Sequence, residues 1–174
     1  MLFQSFYFIG SIGGFFLELL YRKYKFNKWI KPGVFKGFYL PLYGLGLVIC
    51  YLCYKLPILF ILKLLLAGIL LTLIELICGV IFIKKYKIPL WDYSTNFGNY
   101  KGLICVKFSL IWFLLALVTF FIFSKLNVII YPFLKIIIFV FEFIMLIDVI
   151  SFFIQKRKAF KLGVNKKIAN FENL

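Results

Sequence analysis

Residues 57–83 read PILFILKLLLAGILLTLIELICGVIFI, a run in which only Lys63 and Glu75 are charged. A transmembrane helix needs about 20 apolar residues, because it must cross a hydrocarbon core about 30 Å thick. Lys63 lies near the start of the run and can extend toward the membrane surface, which leaves roughly residues 64–83 inside the bilayer. The run is apolar at nearly every position rather than at alternate positions, so the pattern predicts a helix and not a β-barrel strand.

Four other apolar runs in the chain have a similar character. We therefore predict an all-α integral membrane protein, a bundle of five transmembrane helices that forms a single domain over residues 1–155. A short basic tail follows at 156–174. The predicted spans lie at about 2–21, 38–54, 57–83, 102–123 and 128–154.

The composition excludes several classes of protein. Of the 174 residues, 64% are hydrophobic and only 16% are charged. A soluble domain is about 45–50% apolar and about 25% charged. A soluble globular enzyme, a disordered tail and a disulfide-stabilised scaffold are therefore excluded.

The basic residues predict the orientation of the chain in the membrane. The net charge is +15, and most basic residues lie in three places, the loops around 22–36 and 84–101 and the tail. Because lysine and arginine accumulate in cytoplasmic loops, we predict that these three segments are cytoplasmic and that the N-terminus lies outside. The membrane accounts for the basic charge, so we expect no nucleic-acid partner.

The cysteines and the lack of histidine limit the chemistry available. Without histidine, the chain has neither the commonest metal ligand nor the commonest general base near neutral pH. Cys50 and Cys53 form a C-x-x-C pair inside an apolar run, which is more typical of two small hydrophobic residues in a membrane helix than of a redox pair. We expect no metal and no cofactor, and the sequence leaves open whether the protein is an enzyme.

Four of the six acidic residues, Glu18, Glu75, Glu142 and Asp148, fall inside predicted spans. An ionisable group in hydrocarbon costs about 2.5–3.5 kcal/mol on insertion scales, so it usually faces the inside of a bundle. From the helix rise of about 1.5 Å per residue, Glu18, Glu75, Asp148 and also Tyr43 come to a similar depth in the cytoplasmic half. These residues predict a polar cavity that opens to the cytoplasm. The alternative is that the acids only join the helices by hydrogen bonds.

The third loop carries a second group of candidate residues. Trp91, Asp92, Tyr93, Ser94 and Asn99 place an acid, a phenol, a hydroxyl and an amide in one short stretch. Such a group could bind a polar head group. It is equally typical of an interfacial aromatic anchor followed by a turn.

Four segments of the chain resemble a known family. They are Gly14 with Glu18 and Tyr21; residues 37–46 (GFYLPLYGLG); Glu75 with Trp91, Asp92, Tyr93 and Ser94; and Gly102 with Ile104, Cys105, Ser109 and Trp112. On these residues, together with Asp148 and Ser151, the chain resembles the ABC-transporter type IV family, the CmpB-like small membrane proteins of bacteria. Leu76 and Leu103 depart from the family pattern, which usually has an aromatic residue and an arginine there.

The resemblance implies a permease that works with an ATPase in the bacterial plasma membrane. The 174 residues contain no G-x-x-x-x-G-K-[ST] phosphate loop, so the ATPase would be a separate subunit. Five short spans make a half-pathway at best, so we expect either such a subunit or a homo-oligomer. We therefore predict a transport component whose partners include the lipid bilayer. The candidate binding residues are Glu18, Tyr43, Glu75, Trp91, Asp92, Tyr93, Ser94, Asn99, Ser109 and Asp148.

Two other functions remain open from the sequence. A membrane-embedded enzyme could act on a lipid or isoprenoid head group, with Glu75, Asp92 and Asp148 as bases or metal ligands. An accessory structural subunit would use the same acids only to hold helices together.

Overall fold

The computed structural model describes residues 2–125 and 132–161. These residues form five helices, and this part of the chain contains no strand. The helices are α1 (Leu2–Phe26), α2 (Pro41–Lys55), α3 (Phe60–Tyr86), α4 (Val106–Lys125) and α5 (Pro132–Lys161). The predicted all-helical fold is confirmed. Residues 128–131 of the predicted fifth span and 162–174 of the predicted tail lie outside the described residues.

Four of these helices are long and apolar enough to cross a membrane, and α2 is a shorter apolar helix. Their outer faces carry large apolar side chains; Leu20 and Ile136, for example, are 60% and 68% exposed. Apolar surface of this extent marks a membrane-facing protein rather than a water-soluble one. The chain is a multi-pass membrane protein, and which terminus lies outside stays a prediction.

Three helices begin later than hydropathy predicts. α2 starts at Pro41 rather than residue 38, α3 at Phe60 rather than 57, and α4 at Val106 rather than 102. The residues ahead of α2 and α4 are apolar because these loops pack against the bundle, and Tyr39 and Cys105 are both buried. Pro41 occupies the first turn of α2, which suits it, since its ring fixes a helical φ and no amide donor is needed there.

α2 is the central helix and packs against α1, α3 and α4. Its contact with α1 is very close: a Cβ on Gly14 would overlap the ring of Tyr43, and a Cβ on Gly44 would overlap the hydroxyl of Ser11. Small residues are common where membrane helices meet, because close packing drives their association. The approach of α1 to α2 places Tyr43 beside the C-terminal half of α1.

The best-packed region lies where α2, α3 and α4 meet. Its buried side chains are Cys50, Cys53, Ala67, Leu71, Trp112, Ala116 and Phe120. Cys50 and Cys53 are free thiols within this core, where they pack as small apolar residues. This core fixes the positions of Glu75 on α3 and Trp112 on α4.

α5 lies at the edge of the bundle. Its main helical neighbour is α1, where the Gln4 amide donates a hydrogen bond to Glu142 at 3.2 Å. Near the ends of α3 and α5, the rings of Tyr86 and Phe153 have centroids 4.7 Å apart. A cavity lies between these two contacts. The helix α5 borders it on one side, and α1 to α4 border it on the opposite side.

Candidate functional site

A cavity of about 320 Å³ lies toward the end of the bundle where α1, α3 and α5 finish and α2 and α4 begin. The loops at 27–40 and 87–105 cover that end, and we call this space the loop-end cavity. The lining side chains that carry a polar atom include Tyr7, Glu18, Arg22, Tyr43, Glu75, Trp91, Tyr93 and Trp112. Most of the remaining lining residues are apolar. Ligand pockets share this character, with an apolar wall and a few well-placed polar groups.

Glu75 is the most deeply buried acid in the described part of the chain, with 3% of its surface exposed. The Tyr93 hydroxyl donates to Glu75 Oε1 at 3.0 Å, and Trp112 Nε1 donates to Oε2 at 3.0 Å. Both donors are uncharged, and no ion pair to Glu75 occurs among the described residues. The carboxyl group is thus hydrogen-bonded on both oxygens but lacks a neighbouring positive charge.

Glu18, by contrast, has a positive partner. Arg22 Nε lies 3.1 Å from Glu18 Oε1, because residues four apart share one face of α1. The Tyr43 hydroxyl donates to Glu18 Oε2 at 3.3 Å. The Glu18 charge is therefore balanced by Arg22 at the cavity wall.

A ring contact connects the surroundings of the two acids. The rings of Tyr43 and Trp112, which bind Glu18 and Glu75 respectively, have centroids 5.2 Å apart. Four helices and one loop thus contribute to one continuous polar and aromatic arrangement. Gly14 is required for it, because any side chain there would displace Tyr43.

The 87–105 loop folds back on itself and so presents two aromatic rings to the cavity. Trp91 Nε1 donates to the Leu103 carbonyl at 2.8 Å, and the Tyr93 ring stacks on Phe108 with centroids 4.3 Å apart. Burial and the nearby Glu75 carboxylate raise the pKa of the Tyr93 hydroxyl above its ordinary value. Tyr93 therefore remains a hydrogen-bond donor at physiological pH.

The other polar residues of this loop brace it rather than line the cavity. Asp92 Oδ1 accepts a hydrogen bond from the Ser94 amide at 2.8 Å, and Asn99 Nδ2 donates to the carbonyls of Ser94 and Asn96 at 3.0 Å. Gly102 has φ +69°, and a Cβ there would lie 2.9 Å from Asp92 Oδ1. Asp92, Ser94 and Asn99 thus determine the path of the loop that carries Trp91 and Tyr93.

Asp148 lies outside the cavity lining. It accepts hydrogen bonds from the Gly37 amide at 3.0 Å and from the Tyr39 hydroxyl at 2.7 Å. These bonds fasten the 27–40 loop to α5. Because Phe35 of that loop lines the cavity, Asp148 supports the cavity wall without facing the space inside.

Five of the ten candidate residues line the loop-end cavity and five do not. Ser109 is half-buried in the first turn of α4, where its amide donates to the Cys105 carbonyl at 2.9 Å, and it is not a lining residue. The five that line the cavity are Glu18, Tyr43, Glu75, Trp91 and Tyr93. A substrate-binding role for any of the ten stays a prediction.

Sequence reasoning did not identify two important partners, Trp112 for Glu75 and Tyr39 for Asp148. Trp112 could have been considered, because an indole N–H inside an apolar span needs an acceptor. Tyr39 offered no comparable signal, since the fold of the 27–40 loop determines which helix it meets. Glu75, Asp92 and Asp148 each bind a different set of partners, so they do not form one joint acidic cluster.

Comparison with known proteins identifies a family. A family model described as "Putative ABC-transporter type IV" matches residues 5–153, a range that includes both cavity acids and both covering loops. No curated protein and no solved structure matches the chain. On the extent of the family match, the chain belongs to the ABC-transporter type IV family of membrane proteins.

Proposed function

We propose that the protein is a permease-like component of a membrane transporter and that the loop-end cavity is its substrate-binding site. The observation that carries this proposal is the cavity itself, about 320 Å³ in volume and lined by two acids from different helices. Ligand pockets have volumes of about 300–1,000 Å³. The family to which the chain belongs is consistent with such a role.

A purely structural role for Glu75 explains less of the arrangement. Protein interiors are close-packed, and an acid that only joined helices would be enclosed by side chains. Glu75 accepts hydrogen bonds on both carboxyl oxygens and is also a lining residue of the loop-end cavity. Ionisable residues within membrane segments usually mark a substrate or ion pathway, so the geometry favours binding.

We further propose that the loop end faces the cytoplasm of a bacterial cell and that an ATPase subunit or a second copy completes the transporter. The segments at 22–36 and 84–101, which hold six and four basic residues, lie at this end of the bundle. Basic segments of this kind are retained on the cytoplasmic side. Cys78 offers a direct test, because it is half-buried in the cavity lining while the other three cysteines are buried. A membrane-impermeant thiol reagent should label Cys78 in inverted vesicles and not in right-side-out vesicles.

The transport role is tested by complementation of a deletion strain. Wild type, Glu75→Gln and Glu142→Gln are expressed at matched membrane levels, and intracellular small solutes are compared by mass spectrometry. Glu142 is the matched control, since it is also an intramembrane acid but lies outside the cavity lining. We expect Glu142→Gln to restore the wild-type solute profile and Glu75→Gln to leave the deletion profile unchanged.

Complementation by Glu75→Gln that equals wild type would contradict the proposal. Equal failure of both variants, with both inserted at wild-type levels, would also contradict it, because the effect would then not depend on the cavity.

A further inference from the structure

We infer that the loop-end cavity takes a compact organic cation, one with a single positive charge and an apolar body, and that Glu75 is its counter-charge. This inference rests on the proposed function and names the substrate class of the same site. It follows from the charges, walls and size of the cavity taken together.

The charges in the cavity do not balance without a ligand when both acids are ionised. Among the described lining residues, three side chains can carry a full charge as a carboxylate or a guanidinium, Glu18, Arg22 and Glu75. Glu18 and Arg22 form an ion pair 3.1 Å apart, which leaves Glu75 with only neutral donors. A buried charge is strongly disfavoured unless it is paired. One positive charge beside Glu75 completes the site.

The walls suit a cation better than an anion. Tyr43, Trp91, Tyr93 and Trp112 all line the cavity, and Tyr93 and Trp112 contact Glu75 directly. The face of an aromatic ring attracts a cation by about 0.5–2 kcal/mol, and groups of such rings recognise quaternary ammonium ligands. Arg22 is the one basic side chain in the lining, and Glu18 already neutralises it.

The composition of the site also favours an organic ion over an inorganic one. Calcium and magnesium need about six oxygen ligands, and the described residues contain no group of three or more His, Cys, Asp or Glu placed to hold a metal. Leu40, Leu42 and Phe82 add apolar wall, which would contact the apolar body of the ligand. The volume of about 320 Å³ limits that body to a small ring or branched chain.

Three probes of nearly equal size separate charge from shape: benzyltrimethylammonium, phenylmethanesulfonate and N,N-dimethyl-2-phenylacetamide. Their binding to the purified protein in lipid nanodiscs is followed by tryptophan fluorescence. Trp29, which is 64% exposed and outside the lining, is first replaced by phenylalanine, so that only Trp91 and Trp112 report. We expect the cation to bind about tenfold more tightly than the sulfonate, a difference of about 1.4 kcal/mol.

The Glu75→Gln variant shows whether that preference depends on the carboxylate. We expect it to weaken binding of the cation by about tenfold and to leave the amide unchanged, whereas Glu142→Gln should change neither. A glutamine can preserve both hydrogen bonds, since its carbonyl accepts from Trp112 and its amide donates to the Tyr93 oxygen. Loss of cation binding is then an effect of charge.

A second measurement does not depend on any variant. In the unmodified chain, benzyltrimethylammonium should slow the labelling of Cys78 by a neutral maleimide, and phenylmethanesulfonate should not. Equal binding of cation and amide, tighter binding of the sulfonate, or no saturable binding of any probe would each overturn the inference. The proposed transport role would survive those outcomes if the deletion strain still required Glu75.

Discussion

Glu75 and Asp148 are both acids within the membrane helices, yet their surroundings differ in kind. Glu75 is 3% exposed, receives hydrogen bonds from two aromatic side chains, and borders an internal cavity. Asp148 is half-buried on the peripheral helix and receives its hydrogen bonds from a loop. The first acid faces a space that a ligand could occupy, whereas the second holds a segment of chain in place.

Depth in the membrane alone therefore does not determine which groups an intramembrane acid contacts. Both residues were predicted at similar depth from the helix rise alone. Their contacts depend instead on which helix carries them, because α3 packs against α2 and α4 whereas α5 lies at the edge of the bundle. Substitutions at the two positions should therefore differ in size and in the property that they affect.

The largest effect is expected for Glu75→Leu. It leaves the Tyr93 hydroxyl and the Trp112 N–H buried without an acceptor, and each such group costs about 1–3 kcal/mol. The midpoint of thermal unfolding in detergent should fall well below that of wild type, while Glu75→Gln should remain close to wild type. Equal stability of the Leu and Gln variants would show that these hydrogen bonds contribute little.

A matched pair of tyrosine substitutions compares the two acids directly. Tyr93→Phe removes one of two donors from the buried Glu75, so it should lower the free energy of unfolding by about 1–3 kcal/mol. Tyr39→Phe removes a donor from half-buried Asp148, which keeps the Gly37 amide, and should cost about 0.5–1.5 kcal/mol. Thermal unfolding of both variants shows which one loses more stability. A larger loss for Tyr39→Phe than for Tyr93→Phe would refute the contrast between the two sites.

A smaller and local effect is expected for Asp148→Ala. Without the carboxylate, the Gly37 amide and the 27–40 loop lose their attachment to α5. Hydrogen exchange of peptides from this loop should accelerate by about tenfold or less. Peptides from the 87–105 loop serve as the internal control, and acceleration in both loops would indicate general unfolding instead.

The smallest effect is expected for Gln4→Ala. Its hydrogen bond to Glu142 is exposed, and substitutions at exposed positions usually change stability by less than about 0.5 kcal/mol. The free energy of unfolding should stay within that range of the wild-type value. A loss as large as that of Glu75→Leu would mean that the attachment of α5 to α1 is a major determinant of stability.

Four of the five helices were predictable because an apolar run long enough to cross a bilayer is seldom anything but a membrane helix. The shorter apolar run of α2 is helical as well. The starts of the helices were less predictable, because hydropathy does not distinguish a helix from an apolar loop packed on the bundle. Residues 38–40 illustrate this, since Tyr39 is as buried as the helix core but lies ahead of Pro41.

The candidate site was predictable only in part, and for a related reason. Helical spacing predicted the depth of Glu18, Tyr43 and Glu75 in the membrane, and these three residues do line one cavity. The same reasoning could not give the rotation of α5, which turns Asp148 toward the 27–40 loop. It also could not identify Trp112 as a donor, because that contact depends on how α4 packs on α3.

The helix α2 is too short to cross a typical hydrocarbon core by itself. With 15 residues, the helix is roughly 22 Å long, less than a typical hydrocarbon core of about 30 Å. Irregular backbone at that depth is tolerated where protein buries it, and the buried residues Pro32 and Tyr39 show the 27–40 segment packed in this way. If α2 spans the membrane, this packed segment crosses the part of the core that the helix does not reach.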